Sequence, residues 1–181
     1  RNSDVEGIGA NGDDNWYDYE GSYWSNPDKK GVDAGEPSKV VYAAQSLIGH
    51  HGVLSLTPIW CLSLVGILLL ASRERELPMP ALAIGIVLLT VVCTSFYLFL
   101  RPVKDMNYGG VSCGFRWLFW FTPLWFFAMF PALDRIAHSP TWRRVAYVLL
   151  AISILSATYP SANPWQHPWP YQLAEYLGWV S

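Results

Sequence analysis

The stretch KDMNYGGVSCGFRW, residues 104–117, gathers the side chains best suited to holding an anion. Arg116 offers a planar fork of N–H donors that matches two phosphate oxygens at once. Lys104 adds a compact positive charge. Gly109, Gly110 and Gly114 permit tight turns and close backbone approach to a ligand, and Tyr108 and Trp117 set aromatic rings beside them. The set suits an anionic lipid headgroup whose tail lies along the aromatic residues that follow. It also fits a plainer arrangement, an arginine snorkelling at an interface over a glycine turn. Asp105 is the one carboxylate of this loop. It could act as a catalytic base or a metal ligand, but a simple pairing with Lys104 or Arg101 is the plainer reading, and no catalytic residue is assigned.

Two further groups have chemical potential. In NGDDNWYDYEGSYW, residues 11–24, acids alternate with tyrosine and tryptophan. Carboxylates accept hydrogen bonds from sugar hydroxyls and ring faces stack on sugar rings, so Asp18, Tyr19, Glu20 and Trp24 are candidate sugar contacts. A solvated acidic loop held by its aromatics is the alternative. The spacing is not that of a calcium-binding EF-hand loop. In GHHG, residues 49–52, neighbouring histidines on a helix point about 100° apart and do not form a ligand pair. His51 meets His167 if the loop and the tail pack together, which makes these two the candidate metal ligands and a divalent ion the candidate cofactor. Cys61 and Cys93 sit in apolar runs and Cys113 in the glycine loop, with neither disulfide nor zinc spacing. No nucleophile elbow, phosphate-binding loop, zinc-protease motif or dinucleotide fingerprint occurs.

The elements that must position these residues are apolar. Four runs, 53–71, 80–100, 117–133 and 145–159, contain no Asp, Glu, Lys, Arg or His. A helix needs about 20 residues to cross a hydrocarbon core of about 30 Å. The first two runs fit this well. The third is slightly short, with a kink expected at Pro123, and the fourth spans only if Trp142–Tyr159 is counted whole. The expected fold is an all-α membrane protein of about four transmembrane helices over 53–159. An irregular extracytoplasmic segment, 1–52, precedes it, and an extracytoplasmic Trp/Pro-rich tail, 160–181, follows. Within 1–52 a helix is expected from about Ser38, its N-cap, and Gly49 and Gly52 end it. Segments 72–80 and 134–144 carry five arginines and are assigned to the cytoplasm by the positive-inside rule. Residues 1–52, the 101–116 loop and the tail then share the opposite face, although Arg101, Lys104 and Arg116 run against the rule. An integral membrane location is therefore expected.

Composition narrows the function. Of the 181 residues 52% are hydrophobic and 14% charged, against about 25% charged in soluble domains. Nine of the fourteen acids precede residue 53, and no basic stripe suited to nucleic acid is present. The apolar runs lack the intramembrane charges of ion-coupled transport. The chain opens on Arg1 with no signal peptide, so it is expected to be a piece of something longer, with an N-terminal membrane region as its partner.

The segment NYGGVSCGFRWLFWFTPLW resembles a GG-x-S-x-G-P-R-x-L-x-x-x-x-P pattern in large bacterial polytopic membrane proteins described as glycosyltransferases of the GT-C type. IGHHGVLSLTPIW, residues 48–60, is similar to the opening of a late span in them. The likeness covers about residues 40–135, and departs at Phe115, where proline is usual, and at Cys113. It implies a polyprenyl-phosphate sugar donor, a phosphate role for Arg116 and Lys104, and a catalytic carboxylate upstream of this chain. The resulting expectation is the C-terminal membrane portion of an enzyme transferring sugar from a lipid-linked donor at the extracytoplasmic face. The alternatives are a non-enzymatic membrane module binding glycan or protein, and a transporter fragment.

Overall fold

A computed structural model describes residues 36–72, 78–100, 107–109, 114–163 and 166–179. Among the described residues every regular element is helical and no strand occurs. Asp18, Tyr19, Glu20, Trp24, Lys104, Asp105 and Gly110 lie outside them.

Helix α1, Lys39–Leu47, begins as expected at Ser38, whose extended backbone lets its Oγ accept from the Val41 N–H at 3.2 Å. It buries Tyr42 and Ser46, and the chain then turns through Gly49–Gly52, the Gly52 N–H donating to the Gly49 carbonyl.

The first apolar run is not one span. Helix α2, Val53–Leu56, stops at Thr57, which sits at φ −128° and ψ 66°. A single 3-10 turn, Pro58–Trp60, leads into α3, Cys61–Ala71. Proline has no N–H to offer the preceding turn and biases the residue before it away from helix. The break is joined from across the fold: the Ile59 N–H donates to Ser153 Oγ at 3.2 Å, and that hydroxyl donates to the Leu149 carbonyl at 2.7 Å.

Helix α4, Pro78–Ser95, ends in a π-helical turn, Phe96–Leu100. A 3-10 turn, Arg116–Phe121, feeds α5, Thr122–Ala137. Pro123 does not kink this helix. It lies in the first turn, where a missing N–H loses no partner, and the interior proline is Pro131. Helix α6, Pro140–Thr158, continues through Tyr159–Ser161, and α7 is Trp169–Tyr176. Two helices, Pro78–Leu100 of 23 residues and Pro140–Ser161 of 22, are long and apolar enough to cross a membrane. The ranking of the runs therefore changes. The first run is broken by Pro58, and the fourth gains length because helix extends back through Arg143 and Arg144 to Pro140.

Helices α3 and α5 make the closest packing. Gly66 faces the α5 backbone so tightly that an added Cβ would lie 1.7 Å from the Ala128 carbonyl oxygen. Tyr42, Ile86, Leu98, Phe115, Leu118, Trp125 and Ala128 form the main core, and the Trp125 indole donates to Thr90 Oγ1 at 3.1 Å. Few residues of α4 and α6 join it. Val92 is 63% exposed, Tyr147 68% and Leu155 59%, so these long helices are not the buried core of this fold. At one end the described parts of 36–52, the glycine loop and the tail come together. At the other, Ser72, Asp134, Arg135 and His138 border an open cavity of about 400 Å3.

Candidate functional site

The site grows from the turn around Tyr108. Gly109 adopts φ +96°, which L side chains rarely take. A Cβ there would sit 2.9 Å from Arg116 Cβ and 3.1 Å from its Nε. The bare glycine thus lets the loop lie flat on the arginine. The Arg116 N–H donates to the Tyr108 carbonyl at 3.2 Å, which fixes the start of the turn that carries it. The Arg116 guanidinium is exposed and lies 5.8 Å from the Trp117 ring centroid. Trp117 stacks on Tyr97 at 4.8 Å, and its indole donates to the Asn107 carbonyl at 3.4 Å. Gly114, at φ +135°, brings the backbone against Phe119 and Leu56.

Two apolar cavities open beside this turn. One, about 250 Å3, is lined by Gly52, Thr57, Gly114, Phe115 and Phe119. The other, about 210 Å3, lies between α3, α4 and α5 and is lined by Trp60, Leu64, Val87, Val91, Leu118 and Trp125. Residues on both sides of Arg116 therefore wall apolar space.

Tyr108 itself points into a second constellation. Its ring is buried and stacks on His51 at 4.0 Å with an interplanar angle of 3°, and its hydroxyl donates to Glu36 Oε1. The His50 and His51 Nδ1 atoms face each other at 2.5 Å. His51 lies 5.7 Å from His167, which stacks on Tyr171 at 4.0 Å. His50 Nε2 is 3.8 Å from Glu36 Oε1. Burial pushes the His51 imidazole down to about 2, and His50 and His167 add to that. His50 is lowered by burial, with the Glu36 charge opposing, and His167 is lowered by burial, with Glu175 opposing. Burial thus favours the neutral form of all three rings, and the His50–Glu36 contact is an ion pair only when His50 takes a proton. Burial raises the Tyr108 hydroxyl, its bond to Glu36 adding to this, and burial likewise raises Tyr171.

The fold thus brings His51 to His167, as the packing of loop on tail requires. Among the described residues no group of three or more His, Cys, Asp or Glu is arranged to hold an ion. Tyr108, a candidate ligand contact with Arg116, lies inside the histidine cluster. Glu36, His50 and Tyr171 belong to the constellation without having been singled out for it. Glu36 carried no signal beyond its charge, because its partners lie 14, 72 and more residues away; only GHHG marked the place.

No family model, curated protein or solved structure matches this chain.

Proposed function

We propose that this chain is the membrane portion of a glycosyltransferase-like protein of the GT-C type. Four segments, the broken helix α2–α3 and helices α4, α5 and α6, are embedded in a bacterial inner membrane. The turn around Arg116, the histidine cluster and the tail face the extracytoplasmic side. A sugar passes from a polyprenyl-phosphate donor to an acceptor nucleophile by displacement at the anomeric carbon. The resemblance of NYGGVSCGFRW supplies the reaction class. The exposed, outward-facing apolar residues of α4 and α6 favour lipid as their surroundings.

One observation carries the reading: Arg116 stands at a glycine turn between residues that wall two apolar cavities. A cation whose chain neighbours wall apolar space suits an amphiphile with a phosphate head and a greasy tail. Arg116 takes the phosphate, and Phe115 and Leu118 take the first part of the tail. The test is binding of a polyprenyl-phosphate sugar to the detergent-purified protein. Arg116→Ala weakens it by about 10- to 100-fold, the worth of a charge-assisted hydrogen bond, with expression and helix content unchanged. Unaltered binding removes the phosphate role.

The second reading is a non-enzymatic membrane module for glycan or protein. It is favoured by the outward aromatics of the tail, Tyr176 at 86% and Trp179 at 77% exposure. Such a module binds its partner whether or not Arg116 is present.

A further inference from the structure

The histidine constellation joins three parts of the chain that are remote in sequence, and it does so with neutral rings. His50 and His51 come from the GHHG turn, Tyr108 from the glycine loop, and His167 and Tyr171 from the tail. The tail is also anchored on α6 and the turn that follows it: Trp169 Nε1 donates to Ser156 Oγ at 2.9 Å, and the Tyr159 hydroxyl to Gln172 Oε1 at 2.6 Å. Its contact with the turn and loop runs through the rings. His51 and His167 meet at 5.7 Å, His50 and Tyr171 at 5.0 Å, and His51 and Tyr171 at 5.8 Å.

We propose that His50, His51 and His167 form a proton-sensitive clasp that holds segment 166–179 against the glycine turn at neutral pH and releases it in acid. The geometry sets the sign. At 2.5 Å one of the two facing Nδ1 atoms must carry a proton and the other must be bare. Protonating both rings puts a hydrogen on each, and the contact becomes repulsive. The His167 Nδ1 is buried with no hydrogen-bond partner among the described residues. Protonating that ring makes this nitrogen part of a cation with no acceptor to face. Charging His51 and His167 together sets two like charges one ring-width apart. Among the described residues the groups around the clasp are Glu36 and Glu175, whose charges favour protonation of His50 and His167, and the hydroxyls of Tyr42, Tyr108 and Tyr171. Two carboxylates at its edge do not offset burial for any of the three rings, all of which are lowered.

Linkage then fixes the pH window. A histidine held below its free value in the docked form contributes to docking above about pH 6.5, where the released form is also neutral. That contribution declines as pH falls below this value, by up to about tenfold per pH unit for each histidine that gains a proton on release. The clasp needs no assumption about sugar transfer. It does bear on Arg116, because the Tyr108 ring that stacks on His51 belongs to the residue whose carbonyl holds the Arg116 N–H.

The test is amide hydrogen exchange on the full chain in lipid nanodiscs at pH 7.5, 6.5 and 5.5, corrected for the intrinsic chemical rate. Peptides covering 166–179 are expected to lose about tenfold or more in protection between pH 6.5 and 5.5, while α6 keeps its own. His167→Phe preserves an aromatic ring against Tyr171 and removes its titration, so its loss of protection is shallower than wild type. His138→Gln, at the other end of the fold, leaves the wild-type response intact. Protection of the tail that is flat across this range in the wild-type protein overturns the clasp. So does a His167→Phe response as steep as wild type, or a loss that α6 shares in full, which is general acid unfolding. Donor binding by Arg116→Ala is a separate measurement, so failure of the clasp and failure of the transferase reading are distinguishable.

Discussion

At Gly109 one added carbon reaches the candidate anion site directly. Gly109→Ala must adopt φ +96° with a Cβ 2.9 Å from that of Arg116, and a left-handed backbone alone costs an L residue about 1–2 kcal/mol. The expected outcome is a loss of about 1–3 kcal/mol of stability and displacement of Arg116. It is checked by the thermal midpoint together with donor binding, both of which fall. A variant that binds as wild type shows that the turn does not set the arginine. Gly85 is the matching control, since an added Cβ there meets nothing within 4 Å. The need for glycine near Arg116 was legible in NYGGVSCGFR, since only glycine takes such turns without strain. The burial of Tyr108 was not, because nothing in its neighbours distinguishes a ring stacked on His51 from one facing a ligand.

At the scale of elements, the α3–α5 crossing depends on the absence of a side chain. Gly66→Ala places a Cβ 1.7 Å from the Ala128 carbonyl oxygen. That backbone atom cannot turn aside as a side-chain tip can, so the helices must part. Overpacking of this kind costs about 1–3 kcal/mol. Thermal unfolding in detergent is expected to show that loss, with helix content retained, and an unchanged midpoint discards the close crossing. The helices were visible in the apolar runs, since composition alone marks where backbone must be satisfied internally. Their limits were less so. Pro58 ends a helix where the run is continuously apolar, while Pro131 sits inside α5 and Pro123 at its start. Proline's effect is decided by its position relative to the first turn, which an apolar run does not reveal. The histidine cluster was half legible. GHHG and His167 drew attention, but the carboxylate that completes it comes from Glu36, brought close only by α1 packing its Tyr42 into the core.

For the molecule as a whole, sidedness is the decisive property. The cluster end and the Asp134–His138 end are expected on opposite faces of the bilayer. Single cysteines at Trp179 and His138, in a background without Cys61, Cys93 and Cys113, should react with a membrane-impermeant maleimide from opposite sides of sealed vesicles. Labelling of both from one side removes the proposed arrangement. One bond seen in the fold bears on how such a body can move. The amide of Ile59, freed by the break at Pro58, is satisfied by a hydroxyl from α6. An amide left bare in hydrocarbon costs several kcal/mol. Ser153 therefore acts as a rivet between the broken segment and α6: pulling the two apart would strip that amide of its acceptor. Helix α4 is fastened differently, to α5, by the bond from the Trp125 indole to Thr90 Oγ1.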